Sequence, residues 1–450
     1  MQLNRQGNDL RRRLISASCA LLGAATAHAQ EPPAAATDSA GAESMVIDSA
    51  LAYYHEGDGR ITAIEPIVNL RHDAGDERIT SLNLTLDALS GSSPNGALKS
   101  RAPQTFASPS GSSLSGSAQT YTTSSGQVTS SGSPVYTIAP GQLPVDPNYH
   151  DQRVAAGGDW QLPLSRLARV NVGGKLSWEH DFLSVTGSAA YTRDFNQKNT
   201  TLSVGLSDEA DLLRPIGGAP VPGSEYALFH KQGNRSKNGV GLVLGATQVF
   251  SERWVSQLNL SVDHFRGYLN DPYKIISIID AAGNPGGYLY EQRPDARTRR
   301  SVYLENRFGW RRASTAFSLR YMNDDWGIRS ETAQLRVRWW NSQHDRYLEP
   351  TARYYRQTAA DFYSPWLLTT ATQYVDASAD ERLGAFHATT FGLKYGIKAS
   401  GSSGSEWNLR LDYYQQVADQ QLAAPGVLQG LALYPGLKSL MFQVGYRFSY

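Results

Sequence analysis

Arg336 and Arg338 stand two residues apart in RSETAQLRVRWW, and cations recur at compatible spacings through the second half of the chain. Side chains two apart on a β-strand share a face. Assigning the apolar residues of each run to one face leaves Arg307, Arg320, Arg336, Arg338, Arg353, Lys394, Lys398, Arg410 and Arg447 on the other, with Glu305, Glu349 and Asp412 among them. In the first half the same rule yields mostly Ser, Thr, Asn and Gly, with Asp87, Lys175, Glu179 and Asp263. Cations gathered on one surface attract anions, and a facing wall bearing Asp87, Glu179 and Asp263 would set a field between the two. The bland reading stays open beside it: the arginines pair with inward acids or with a folded-in loop and fill a polar interior.

Other chemistry is sparse. Of nine histidines, His28 falls in the leader described below, which leaves eight, none in an H-x-H or H-E-x-x-H spacing. His55, His72, His180, His264 and His344 lie near expected strand ends and read as interfacial polar residues. No serine or histidine is marked as a nucleophile or base, so no catalysis is expected, and no cofactor. Asp324-Asp325 could hold Ca²⁺ with other loop oxygens, but reads more readily as a solvated acidic turn. Charges balance at 42 Lys+Arg against 41 Asp+Glu, which gives no footprint for nucleic acid.

The elements that position these residues follow from export and alternation. MQLNRQGNDLRRR is basic, LISASCALLGAATA is apolar, and Ala27-His28-Ala29 is a small-x-small cleavage site, so residues 1–29 read as a secretory signal peptide. The single cysteine, Cys19, lies inside it, which excludes thiolate chemistry after cleavage. Residues 30–44 read as a short periplasmic segment and 45–450 as the folded part. No apolar run is long enough for a membrane-spanning helix. Instead, alternating runs of about 9–11 residues, the length of a tilted spanning strand, recur along the chain. RITSLNLTLDALS is the clearest, with Leu82, Leu84 and Leu86 on one face.

The expected fold is an all-β, antiparallel transmembrane barrel of about sixteen strands. Spanning strands must close on one another, because lipid leaves no backbone group unpaired without cost. Short connections (PLSRLA, DFNQK, SER, RRA) alternate with long ones at 90–152, 210–238, 266–298, 358–384 and 417–437. Short periplasmic turns and long outer loops place the protein in the outer membrane of a Gram-negative cell, surrounded by lipid. Phe250, Trp254, Trp310, Trp339, Trp407, Phe448 and Tyr450 are expected at the short-turn ends, and Trp178, Tyr321, Tyr354 and Tyr413 at the other, as two aromatic girdles. The segment 90–152, rich in Ser, Gly and Pro, is either a disordered outer loop or a plug docked through Leu98, Phe106, Tyr121, Tyr136 and Leu143.

The terminal run Leu440-MFQVGYRFSY alternates to its last residue. Its apolar set, Phe442, Val444, Tyr446, Phe448 and Tyr450, resembles the C-terminal signal that the bacterial barrel-assembly machinery recognises. DALSGSSPNGA, QTFASPSG, GQLPVDPNYHDQR, YLNDPYK, YEQRPDARTRR, NDDWGIRSET and RYYRQTAADFY together resemble the bacterial outer-membrane proteins of the domain of unknown function 3570 family, over nearly all of the mature chain. The resemblance implies no defined activity. It implies an association with periplasmic flavin-transferase and thioredoxin-like proteins, and hence with extracytoplasmic redox chemistry. The segment 108–134 departs from the pattern as a long low-complexity insert.

The leading expectation is a channel for passive passage of small polar or anionic solutes. The alternative is a plugged, non-conducting barrel that anchors or exports something for a redox pathway. The apolar stripe Val240, Leu242, Leu244 would permit homo-oligomers.

Overall fold

The computed structural model describes residues 43–108, 120–122, 128–130, 135–147, 149–369, 375–398, 404–419, 423, 425–434 and 436–450. The expected signal peptide and nearly all of 30–44 lie outside them. Sixteen strands form one closed barrel: β1 Ser44–Glu56, β2 Thr62–Asp73, β3 Ile79–Ser90, β4 His150–Ser165, β5 Ala168–Trp178, β6 Phe182–Phe195, β7 Thr200–Leu213 and β8 Arg235–Ser251. The circuit continues through β9 Trp254–Gly267, β10 Ala296–Gly309, β11 Ala313–Asp324, β12 Arg329–Trp340, β13 Arg346–Gln357, β14 Phe386–Lys398, β15 Glu406–Ala418 and β16 Leu437–Ser449. Each pairs antiparallel with its sequence neighbour, and β16 closes on β1 from Val46↔Ser449 to Glu56↔Ser439. Closure leaves no strand edge unpaired.

Period-two alternation decides which way each side chain points. Leu82, Leu84 and Leu86 on β3 are 47%, 43% and 42% exposed, and the same face recurs around the barrel through Val185, Leu206, Leu242, Leu260, Leu319, Leu393 and Leu411. A continuous apolar belt of this extent is solvated by lipid, not by water. Phe250, Trp254, Trp310, Trp339 and Trp407 are exposed at one end of it, and Trp178, Tyr321, Tyr354 and Tyr413 at the other, as the girdle pattern requires. On the inner face, small residues make room for large neighbours. A Cβ on Gly396 would stand 2.1 Å from the ring of Tyr347, which lies across it from β13 with its hydroxyl donating to Glu406 at 2.6 Å.

Taken from the strand limits, the connections at one end span two to seven residues, whereas five at the other span 18 to 59. The described parts of those five long loops pack on one another. Ala97, Phe106 and Tyr136 of the first join Tyr226 of the second and Ile275 and Tyr290 of the third in one buried cluster. Leu98, Ile279, Leu428 and Leu433 form a second, from the first, third and fifth. A three-stranded sheet of Ile275–Ile279, Pro285–Tyr290 and Trp366–Leu368 ties the third loop to the fourth. Among the described residues, 90–152 docks through Leu98, Phe106 and Tyr136 onto the other loops, and Leu143 is half-buried; the side chain of Tyr121 lies outside the described residues. The described parts of this segment are ordered by a few large apolar residues that find buried partners on other loops.

Candidate functional site

The inner faces of β10–β16 carry the cations singled out above. Most are partnered. Arg307 bonds Glu305 on its own strand, Arg338 bonds Glu349 on β13, Arg410 donates to Asp412 at 2.7 Å, and Arg447 donates to Asp48 across the closing seam at 2.6 Å. The Arg338 guanidinium also lies 4.3 Å from the Tyr347 ring centroid, and Lys398 Nζ lies 4.6 Å from that of Trp340. Lys394 sits in register between Glu349 and Arg410, and Arg336 lies near Glu305. Arg320 and Arg353 differ. Both are exposed on the inner face, and neither has a hydrogen bond or ion pair to a described residue. With Arg297 they lie near enough to Tyr355 to act on it electrostatically. Guanidinium groups stay charged, so two exposed and unpaired ones require water or an anion beside them.

The inner faces of β2–β9 are more strongly charged than the sequence pattern suggested. Asp87 and Glu179 lie 3.3 and 4.0 Å from Arg153, which also reaches Glu65 at 3.8 Å. Glu209 and Asp211 follow on β7, with Asp211 3.1 Å from Lys237. Leu202, Val204 and Leu206 point outward on β7, and Glu209 and Asp211 fall in step on its other face. Asp263 is not opposite the basic wall. Its strand neighbours β10, and its carboxylate lies 3.9 Å from Arg299. It marks the boundary between the two walls, because the change of sign comes between adjacent strands.

Above these walls the loop cap is held by buried ions. Arg293 bonds both Glu291 and Asp380, at 2.8 Å each, and those two carboxylates are almost fully buried. Ser378 donates to Glu291 at 2.5 Å, and Arg382 bridges Asp380 to Asp271 at 2.6 and 2.7 Å. Burial disfavours ionised Asp380, but Arg382, Lys274 and Arg293 outweigh it and hold its carboxyl far below the ordinary range. For Glu291 burial prevails, and its carboxyl is raised. Two of the contacts that tie the cap to the rim join distant turns. Arg60, in the turn after β1, bonds Glu381 at 2.9 Å, and Tyr273 donates to Asp181 in the turn after β5. At the second tie, Asp151, Glu179 and Asp181 bring carboxylate oxygens within 4.8 Å of one another. Burial, then the neighbouring Asp151, raises Glu179 to about 7. These ties join residues far apart in sequence, and only the folded loops reveal them.

Asp324-Asp325 is explained without a cation. Asp324 accepts from Arg297 through one oxygen and from the Trp326 and Ile328 amides through the other, and Asp325 accepts from the Thr298 amide. The turn is a folded clasp, with Trp326 only 4% exposed, and of the two acids only Asp325 is exposed to solvent. Phe442 and Phe448 on β16 and Tyr450 just after it lie on the outward face at 45%, 37% and 88% exposure; Val444 and Tyr446 share that face, with the ring of Tyr446 4.5 Å from that of Trp407.

The chain aligns at low identity with several solved structures. The chain aligns with Pseudomonas aeruginosa OccK2 (OpdF) at 10% identity and a TM-score of 0.39, over 90% of this chain and 98% of that one. It aligns with a bacterial polysaccharide outer membrane secretin at 9% identity and a TM-score of 0.42, over 92% and 99%. Pseudomonas aeruginosa OpdK, in a structure with vanillate, aligns at 10% identity and a TM-score of 0.39, over 91% and 99%. No curated protein matches in sequence. A family model does: residues 11–448 match it over almost the full length, and the chain belongs to the family described as protein of unknown function (DUF3570).

Proposed function

We propose that this protein is an outer-membrane channel for small polar solutes, with preference for anions, whose outer mouth is narrowed by the folded loop cap. One observation carries the reading: Arg320 and Arg353 stand exposed and unpaired inside the barrel, facing a wall lined by Glu65, Asp87 and Glu209. A field across a wet lumen selects by charge, and paired arginines alone would not supply it. The remaining wall residues, Arg307, Arg336, Arg338, Lys394, Lys398, Arg410 and Arg447, shape that field with most of their charge already answered. We assign no catalytic role. Phe442, Val444, Tyr446, Phe448 and Tyr450 serve as the recognition signal for the barrel-assembly machinery, and the stripe Val240, Leu242, Leu244 offers a lipid-side face for association between copies.

The test is planar-bilayer conductance of the refolded mature protein, with the reversal potential read in a salt gradient. Anion-selective steps that lose selectivity in Arg320→Ser/Arg353→Ser support the channel. The interlocked cap favours a second reading, a plugged barrel that serves a periplasmic flavin- or thioredoxin-linked pathway as anchor. Silence from a correctly folded barrel, persisting after deletion of 100–140, would favour that reading over the channel.

A further inference from the structure

We propose that the cavity where the cap meets the inner rim binds a small monocarboxylate with a flat apolar body, anchored on Lys231. The cavity measures about 250 Å³. At about 30 Å³ per water that is the volume of roughly eight waters, enough for one aromatic ring bearing a carboxylate. One side is a wall of rings around Tyr226, whose centroid lies 5.3 Å from Phe229, 5.3 Å from Tyr290 and 6.3 Å from Phe106. Phe229 is held in the left-handed region at φ 47°, a conformation costly for a bulky residue and kept only where the surroundings impose it. Ile61 and Leu89 of the rim also line the cavity.

The charged side chains that line this cavity have polar partners, and Lys231 has the fewest. Lys274 donates to Ser93 Oγ and to the Pro94 carbonyl. Asp146 accepts from Ser108 at 2.5 Å, and Asp271 accepts from Arg382. Lys231 Nζ makes one hydrogen bond, to the Ile216 carbonyl at 2.8 Å, and among the described residues it has no carboxylate partner. It is half-buried, and that burial lowers its pKa. A partly desolvated ammonium with donors to spare and no counter-ion favours an anion at that point. The ring wall fixes the rest of the ligand. It offers a phosphate dianion nothing, and one ammonium would leave such an ion half-compensated. An amine would compete with the donors already on Asp146 and Asp271. A carboxylate on Lys231 with its apolar body against the rings satisfies both surfaces.

The proposal goes beyond passage through the lumen, since it holds whether or not the barrel conducts. The test is calorimetric titration of the refolded full chain in detergent with benzoate, acetate and benzyl alcohol. Benzoate is expected to saturate the protein, with the two comparators at least about tenfold weaker, each lacking one of the two contacts. Lys231→Met is expected to weaken benzoate about tenfold, the scale of one charged hydrogen bond. Amine-reactive labelling of the wild-type chain, read by mass spectrometry, is expected to modify Lys231 and to be blocked there by benzoate. Equal binding of benzyl alcohol and benzoate, unchanged affinity in Lys231→Met, or labelling of Lys231 that benzoate does not slow would each overturn the site. If Lys231→Met fails to fold, the wild-type labelling decides alone.

Discussion

The barrel wall and the loop cap use the same residue types in opposite ways. In the wall, large apolar side chains point outward to lipid, and the strands are held by ladder hydrogen bonds that close on themselves. In the cap, Phe106, Ile276, Ile279 and Tyr226 point inward, and buried ions lock the loops together. The wall is one cooperative ladder, whereas the cap rests on a few clusters and on ties to the rim. The cap is therefore the part that can open while the barrel stays intact.

Replacing Asp380 breaks that contrast hardest. Asp380→Ala would leave Arg293 buried beside a lost partner, a loss of about 3–5 kcal/mol for a broken buried pair. Limited proteolysis should then cut within 268–295 and 358–385, while the heat-modifiable gel mobility of the barrel stays unchanged. Phe106→Ala should follow with about 3–4 kcal/mol, as expected for a buried ring. It should expose 91–108 to hydrogen exchange and leave the strands protected.

Acidity acts on the cap at the rim. Glu179 is raised from 4.5 to about 7, so ionising it costs more in the folded cap than in the open chain. That penalty is absent below about pH 4.5 and grows as pH rises towards 7. The tie at Tyr273–Asp181 should therefore be firmer at pH 5 than at pH 8, by roughly 1–2 kcal/mol for a group partly open to solvent. Amide exchange of 271–274 at the two pH values checks the sign; faster exchange at pH 5 would refute it. Smallest in stability is Arg320→Ser with Arg353→Ser, within about 0.5 kcal/mol because neither side chain holds a partner. Its melting curve should match the wild type even as the reversal potential moves.

The wall was far more legible in the sequence than the cap, for a physical reason. A spanning strand announces itself locally: Leu82, Leu84 and Leu86 state their face without any knowledge of β2 or β4. Register is less local. That Arg338 meets Glu349, or that Asp263 borders Arg299 and does not oppose it, follows only once neighbouring strands are aligned. The cap lies beyond local pattern altogether. Arg293 and Asp380 are 87 residues apart, and Phe106 sits in a segment whose composition spoke for disorder. Lys231, alone in KQGN, carries no signal of its own; its meaning comes from Ile216 and the rings that fold around it.

The seam between β1 and β16 has a kinetic consequence. Met45 and Tyr450 exchange two backbone hydrogen bonds, so the rung that turns a sheet into a cylinder joins opposite ends of the folded chain. Its contact order is near the maximum the chain allows, and closing a loop of that length by random search would cost about 5 kcal/mol in chain entropy. Sequential hairpin zipping removes the search, yet every intermediate before the last rung carries two sticky edges. A circular permutant that links the two ends and opens at a short turn would move those edges elsewhere. Its assembly rate would reveal whether the seam's position, and not its sequence, sets the pace.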